Sequence, residues 1–214
     1  MKKTIVFDFD GTLVDSFPLI DFCFNETAKH LGRFFSFEDI IKNLGPNEEG
    51  LVKKLFKLES HKEAYSYYLK IYEEYHDKYI PSLYNEMYEL LKKLRNEGYK
   101  ILLLTGRSIE TLMISLTKLK LFEFFDGYYV GNIDKVYKYE NLQDIMKDYN
   151  LNSNEMIYVG DSVSDVKECR KSSVEIISVT YIMKDKIEKL KELNPGFVAG
   201  SVNELDSLIH SLTK

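Results

Sequence analysis

Short apolar runs alternate along this chain with longer stretches whose apolar residues recur every three or four positions. Ile5–Phe9 reads as a strand. Lys100–Leu104 (KILLL) reads as a second, with the continuous apolar character of a strand buried on both faces. Gly127–Val130, Met156–Val159 and Val174–Val179 predict three more, and Phe197–Val198 a short edge strand. Between them the spacing predicts helices over Asn85–Glu97, closed by Gly98, and over Ser108–Lys120, Glu140–Asn150, Ser162–Lys171, Lys184–Leu193 and Val202–Ser211. Alternation of this kind implies an α/β class, a parallel sheet with helices on both faces.

Between Ser16 and about Ile80 the pattern changes. No strand signal occurs there, and Phe17–Leu31, Ser36–Leu44, Asn47–Lys57 and Ser60–Tyr79 each read as helices. Ser36 with Asp39 has the form of a capping start, and Gly45-Pro46 is a break. An all-helical insert, residues 16–80, therefore interrupts an α/β domain made of residues 1–15 and 81–214. Tyr65, Tyr68, Tyr72, Tyr75 and Tyr79 lie on one face of its last helix. A core stripe is the plain reading; a dimer surface or a substrate-facing wall are the others. Glu48, Glu49, Glu73 and Glu74 read as a solvated face.

Composition narrows the function without naming it. At 214 residues the chain has room for one large domain, or one with a small insert. A net charge of -5 with dispersed basic residues disfavours nucleic acid as a partner. No apolar run approaches the roughly 18 residues of a membrane span. Met1-Lys2-Lys3 imitates a signal peptide only until Asp8 interrupts a short apolar run. Cys23 and Cys169, far apart and without metal-type spacing, read as free thiols in a reducing cytosol.

Chemistry concentrates just after the strands. Asp8 and Asp10 close the first strand, followed by the turn Gly11-Thr12. Two carboxylates so close at the end of a buried strand are costly unless a cation or a phosphoryl group uses them. Thr105-Gly106-Arg107 follows KILLL and precedes a helix, where a hydroxyl and free backbone N–H groups make an anion site. Gly160-Asp161-Ser162-Val163-Ser164-Asp165 follows the Met156–Val159 strand with hard oxygen ligands of the kind Mg²⁺ takes. Lys135 and Lys138 precede that strand by one helix. In an open α/β sheet all these positions meet at the carboxyl edge, where ligands bind.

Asp-x-Asp-Gly-Thr, the Thr105 turn, a Lys before a helix and Gly-Asp-x-x-x-Asp, in this order, resemble the four motifs of the haloacid dehalogenase superfamily. The resemblance covers nearly the whole chain. It implies a Rossmann-like core with a helical cap inserted after the first strand, as in phosphoglycolate phosphatases and β-phosphoglucomutases. It also implies a Mg²⁺-dependent phosphatase that hydrolyses a small phosphate monoester through an aspartyl-phosphate. By the same resemblance Asp8 is the nucleophile and Asp10 the acid–base group. Lys138, favoured over Lys135, neutralises charge. Thr105, Gly106, Arg107, Gly11 and Thr12 hold substrate, and the metal ligands come from Asp8, Asp10, Asp161 and Asp165. Asp165 is either a ligand through water or a partner of Lys138.

Two departures stand out: Gly106-Arg107 where many relatives carry Asn after the Thr, and Tyr139 where close relatives carry Pro. The mutase subgroup has a histidine five residues after Asp15; here Ile20 stands there, and His30 falls at the far end of that helix. That counts against a mutase. Pyrophosphatase, 5'-nucleotidase and a non-catalytic phosphate-binding protein remain alternatives, and dehalogenation is disfavoured because it does not need Asp10 or Mg²⁺. The expected setting is the cytoplasm, as a monomer or homodimer, away from membranes.

Overall fold

The computed structural model describes residues 2–43, 47–56, 61–134 and 138–213. Six strands make one parallel sheet: β1 (Thr4–Phe7), β2 (Lys100–Leu104), β3 (Gly127–Tyr129), β4 (Met156–Gly160), β5 (Glu175–Val179) and β6 (Val198–Ala199), in the order β3-β2-β1-β4-β5-β6. β1 is central, and the chain turns to opposite sides of it, so a switch point lies at its carboxyl end. Phe7 is in register with Leu103 on one neighbour and Val159 on the other. The residues that follow these strands are therefore brought level with one another.

Side-chain alternation explains the layers. Ile5, Phe7, Ile101, Leu103, Ile157 and Val159 share one core with α5 (Asn85–Asn96), α6 (Ile109–Leu119) and α10 (Val202–Leu212). Val6, Leu102, Leu104, Met156 and Tyr158 face the other way, into a core with α7 (Lys138–Asp148), α8 (Val163–Lys171) and α9 (Ile187–Leu193). With both faces covered, the strands are apolar in near-continuous runs, as Ile101–Leu104 is. The Rossmann-like α/β architecture expected from the sequence is what the chain adopts. Strand and helix ends differ from expectation by one or two residues, as terminal turns commonly do. The first strand stops at Phe7 rather than Phe9, because Phe9 and Asp10 already belong to the turn that Gly11 closes. Lys184–Lys186 forms a separate 3₁₀ turn before α9.

Residues 17–79 supply α1 (Phe17–His30), α2 (Phe37–Asn43), α3 (Glu48–Phe56) and α4 (His61–Tyr79). Ser36 and Asp39 cap α2 reciprocally, at 2.9 and 3.1 Å. The Gly45-Pro46 break and Lys135 fall outside the described residues. α4 packs on α1 and α3 and, from the α/β part, on α6. Tyr65, Tyr68 and Tyr72 are buried along the α4 stripe and Tyr75 and Tyr79 partly so, with Tyr68 between the rings of Tyr65 and Tyr72 and close to Phe24. The stripe is thus mainly core. His30 ends α1 stacked on Tyr67 at 4.0 Å. Cys23 and Cys169 are unpaired and buried. Among the described residues no helix is long and apolar enough to cross a membrane.

Candidate active site

Three carboxylates gather where β1 and β4 end. Asp8, 5% exposed, follows Phe7, and its backbone N–H donates to Val159 O at 2.8 Å. Asp161 follows β4, and Asp165 lies in the first turn of α8. Each offers an oxygen within 4.8 Å of the others', and all three residues are buried. Burial raises the Asp8 pKa well above the ordinary carboxylate value; Lys138 opposes this, and the charges of Asp165, Asp161 and Asp10 add to it. Burial also raises Asp161. Buried like charges at this spacing call for cations, and an all-oxygen cluster suits a hard divalent ion such as Mg²⁺.

Two lysines supply part of that charge. Lys138 Nζ, at the start of α7, lies 3.0 Å from Asp8 Oδ1 and 2.6 Å from Asp165 Oδ1. It also donates to Tyr158 Oη at 2.8 Å. Its neighbouring carboxylates raise its pKa against the effect of burial. Asp165 is lowered: burial alone would raise it, but Lys138 and Ser162 outweigh that. Asp165 also completes a capping box with Ser162 at the start of α8. Lys186 Nζ reaches Asp161 Oδ2 at 2.6 Å.

Close approach explains two glycines. Gly11 has φ +73°, and a Cβ there would lie 2.5 Å from Asp161 Oδ2. A Cβ on Gly160 would lie 2.7 Å from Asp165 Oδ2. The Thr12 side chain is buried beside them, and its Oγ1 has no partner among the described residues. Thr105 is fully buried after β2, its Oγ1 accepting from Arg107 N at 3.3 Å, and Gly106 lies between them.

Asp10 stands outside the three-carboxylate cluster. Its side chain pairs with Arg107: Nε lies 2.9 and 3.0 Å from Oδ1 and Oδ2, and Nη2 lies 2.7 Å from Oδ1. Ser16 Oγ donates to the same Oδ1. The sequence-expected metal set is thus divided, with Asp8, Asp161 and Asp165 together and Asp10 on a guanidinium.

Several side chains at the site carry no sequence signal of their own. Tyr158 is in the apolar run of β4, and Lys186 is one lysine among many. Tyr72 was legible only as one position of the tyrosine stripe. Glu48 corrects the expectation of a solvated face: it is 7% exposed. Its Oε2 accepts from Ser108 N at 2.6 Å and its Oε1 from Thr111 Oγ1 at 2.7 Å, at the N-terminus of α6. A carboxylate is favoured there by the helix dipole. Burial raises the Glu48 pKa, opposed by Arg107. Tyr65 Oη donates to Ser108 Oγ at 2.6 Å, and Asn47 N donates to Asn132 O at 3.0 Å. The helical segment thus touches the turn after β2 through Glu48 and Tyr65. Glu49 is half-buried against His61, and Glu73 and Glu74 are exposed as expected.

Comparison with known proteins places this geometry in a family. Residues 5–179 match the family model of the haloacid dehalogenase-like hydrolases. The pyrophosphatase PpaX of Bacillus mycoides is 26% identical over 208 residues, covering 95% of this chain and 94% of that one. A haloacid dehalogenase hydrolase of family IA, variant 3, from Entamoeba histolytica superposes with a TM-score of 0.78 at 19% identity, with 100% of each chain covered. A predicted phosphoglycolate phosphatase from Haemophilus somnus superposes with a TM-score of 0.74 at 18% identity, covering 97% of this chain and 98% of that one. The chain belongs to the haloacid dehalogenase-like hydrolase family.

Proposed function

We propose that this member of the haloacid dehalogenase-like hydrolases is a Mg²⁺-dependent phosphatase acting on a small phosphate monoester in the cytosol. The observation that carries the reading is Asp8, buried and 3.0 Å from Lys138, with the carboxylates of Asp161 and Asp165 gathered around it. An oxygen of Asp8 attacks phosphorus, and the bond from phosphorus to the ester oxygen breaks. Asp10 gives that oxygen a proton. Water then attacks phospho-Asp8, passes its proton to Asp10, and releases phosphate and the free Asp8 carboxylate. Asp8, Asp161 and Asp165 are the side chains suited to hold Mg²⁺, which when bound would offset the charge of the carboxylates and phosphate oxygens.

Lys138 neutralises charge between Asp8 and Asp165 and keeps the Asp8 side chain in place. Thr105, the backbone at Gly106, and the Gly11-Thr12 turn form the phosphate cradle. Residues 16–80 form a cap over the carboxyl edge of the sheet that excludes water and selects the leaving group. A phosphoglycolate-phosphatase-like activity is the nearest label. Pyrophosphate is the second reading, favoured by the PpaX relative's name.

Phosphate release from a panel of phosphomonoesters, nucleotides and pyrophosphate, with Mg²⁺ and with excess chelator, tests the proposal. Metal-dependent release abolished by Asp8→Asn is expected. Release that survives chelation, or the Asn variant, contradicts it.

A further inference from the structure

The Arg107 guanidinium is almost wholly buried, with its side chain 1% exposed, and all three of its nitrogens are engaged. Nε and Nη2 point at Asp10. Nη1 donates to Tyr72 Oη and, at 3.1 Å, to Ser115 Oγ. Tyr72 Oη and Ser115 Oγ are themselves 2.8 Å apart, and His76 Nε2 meets Ser115 Oγ at 3.1 Å. The guanidinium carbon lies 4.8 Å from the centroid of the Phe9 ring and 5.2 Å from that of Tyr72. Such a group is a rigid fork with its geometry fixed from both ends.

The two Asp10 oxygens are used unequally. Oδ1 accepts from Ser16 Oγ, Arg107 Nε and Arg107 Nη2. Among the described contacts Oδ2 accepts only from Nε, at 3.0 Å. Oδ2 therefore retains the capacity to meet a further proton-bearing or proton-accepting atom. We propose that Arg107, held by Tyr72 of the helical segment, is a positioning residue that engages Asp10 Oδ1 with two nitrogens and Oδ2 with one, so that Oδ2 is the oxygen presented to the reacting oxygen. This rests on the reading of Asp10 as acid–base group. It gives Arg107 a different task from substrate contact, and it links the helical segment to Asp10 through the Tyr72 hydroxyl and Arg107.

The experiment compares two probes of matched shape, phenyl phosphate and 4-nitrophenyl phosphate. Phenoxide is the poorer leaving group and needs the proton; 4-nitrophenoxide departs as a stabilised anion. kcat/KM reads the steps up to that departure. Arg107→Met should lower kcat/KM for phenyl phosphate by about 10²-fold, the low end of what proton transfer contributes, and for 4-nitrophenyl phosphate by far less. Arg107→Lys should restore part of the difference, since a point charge reaches Asp10 without the fork. Tyr72→Phe keeps the ring and should show the same selectivity in weaker form. It also carries the test if Arg107→Met does not fold.

Equal losses on both probes would reduce Arg107 to a structural role and overturn the proposal. A loss confined to KM would make Arg107 a substrate contact and also overturn it. Unchanged kcat/KM in both Arg107→Met and Tyr72→Phe would do the same. If the unaltered protein releases phosphate from neither probe nor from the wider panel, the phosphatase reading itself fails and this inference with it. Activity that Asp8→Asn abolishes, with no leaving-group selectivity at Arg107, leaves that reading standing and removes this inference alone.

Discussion

Asp8, Thr105 and Asp161 each stand one position beyond a parallel strand. Glu48, Tyr65 and Tyr72 reach the same region from helices, embedded among apolar neighbours. The first group is placed by the sheet: β1, β2 and β4 run in register, so residues at their ends must converge whatever else the chain does. The second group is placed by how α3 and α4 dock on α6, which depends on packing between distant residues. One region holds the candidate catalytic carboxylates on a scaffold fixed by backbone hydrogen bonds. The other adds a few buried polar contacts whose value depends on docking.

The two regions should respond differently to substitution. The largest effect is expected at the carboxylates gathered at the strand ends. Lys138→Met leaves Asp8 and Asp165 without their shared ammonium, and breaking a buried ion pair in this way costs about 3 kcal/mol or more. Denaturant unfolding should report that loss. Excess Mg²⁺ should recover part of it, because a ligand that binds only the folded state stabilises it.

A middle-sized effect is expected from the helical segment. Glu48→Ala leaves the Ser108 N–H without its acceptor and the Thr111 hydroxyl with only its longer contacts to Ser108, at about 1–3 kcal/mol. Glu74→Ala on an exposed face of α4 should change stability by less than about 0.5 kcal/mol. Equal effects for Glu48 and Glu74 would erase the distinction between buried and solvated acids on that segment.

The smallest effect lies away from the site, where α10 meets α5. His210 contacts Asp206 O at 2.8 Å and Glu97 Oε2 at 2.7 Å. Burial alone would lower its pKa, but the Asp206 carbonyl and the Glu97 carboxylate raise it above the ordinary 6.5. A raised pKa means that the folded state holds this proton more tightly than the unfolded state. The stabilisation is therefore complete below about pH 6.5 and fades as pH rises through the folded-state value. Exposure limits it to less than about 1 kcal/mol. The stability difference between the parent and His210→Gln, measured by denaturant unfolding at pH 5.5 and pH 8.5, should shrink at the higher pH.

Legibility followed the same division. The apolar run within Lys100–Leu104, short and followed by the Thr105-Gly106 turn, has the character of a doubly covered strand, and it forms one over those same residues. Asp8 with Asp161 and Asp165 was visible because carboxylates after apolar strands are anomalous locally. Glu48 departs from the expected solvated face because an acid near the start of a helix looks the same in sequence whether water or Thr111 faces it. Tyr72 is buried, as the plain core reading of the tyrosine stripe expects, yet its hydroxyl reaches Arg107, which no periodicity encodes. The Asp10–Arg107 pair joins residues 97 positions apart, and only the fold brings them together.

The central claim is that Asp8 carries the phosphoryl group during turnover. Acid-quenching the protein seconds after adding an accepted phosphate ester, then measuring the mass of the peptide that contains Asp8, tests it directly. The account predicts a fraction of that peptide heavier by one phosphoryl group, absent in Asp8→Asn. An active protein with no such adduct at any quench time, and with phosphate release undiminished in Asp8→Asn, would contradict it.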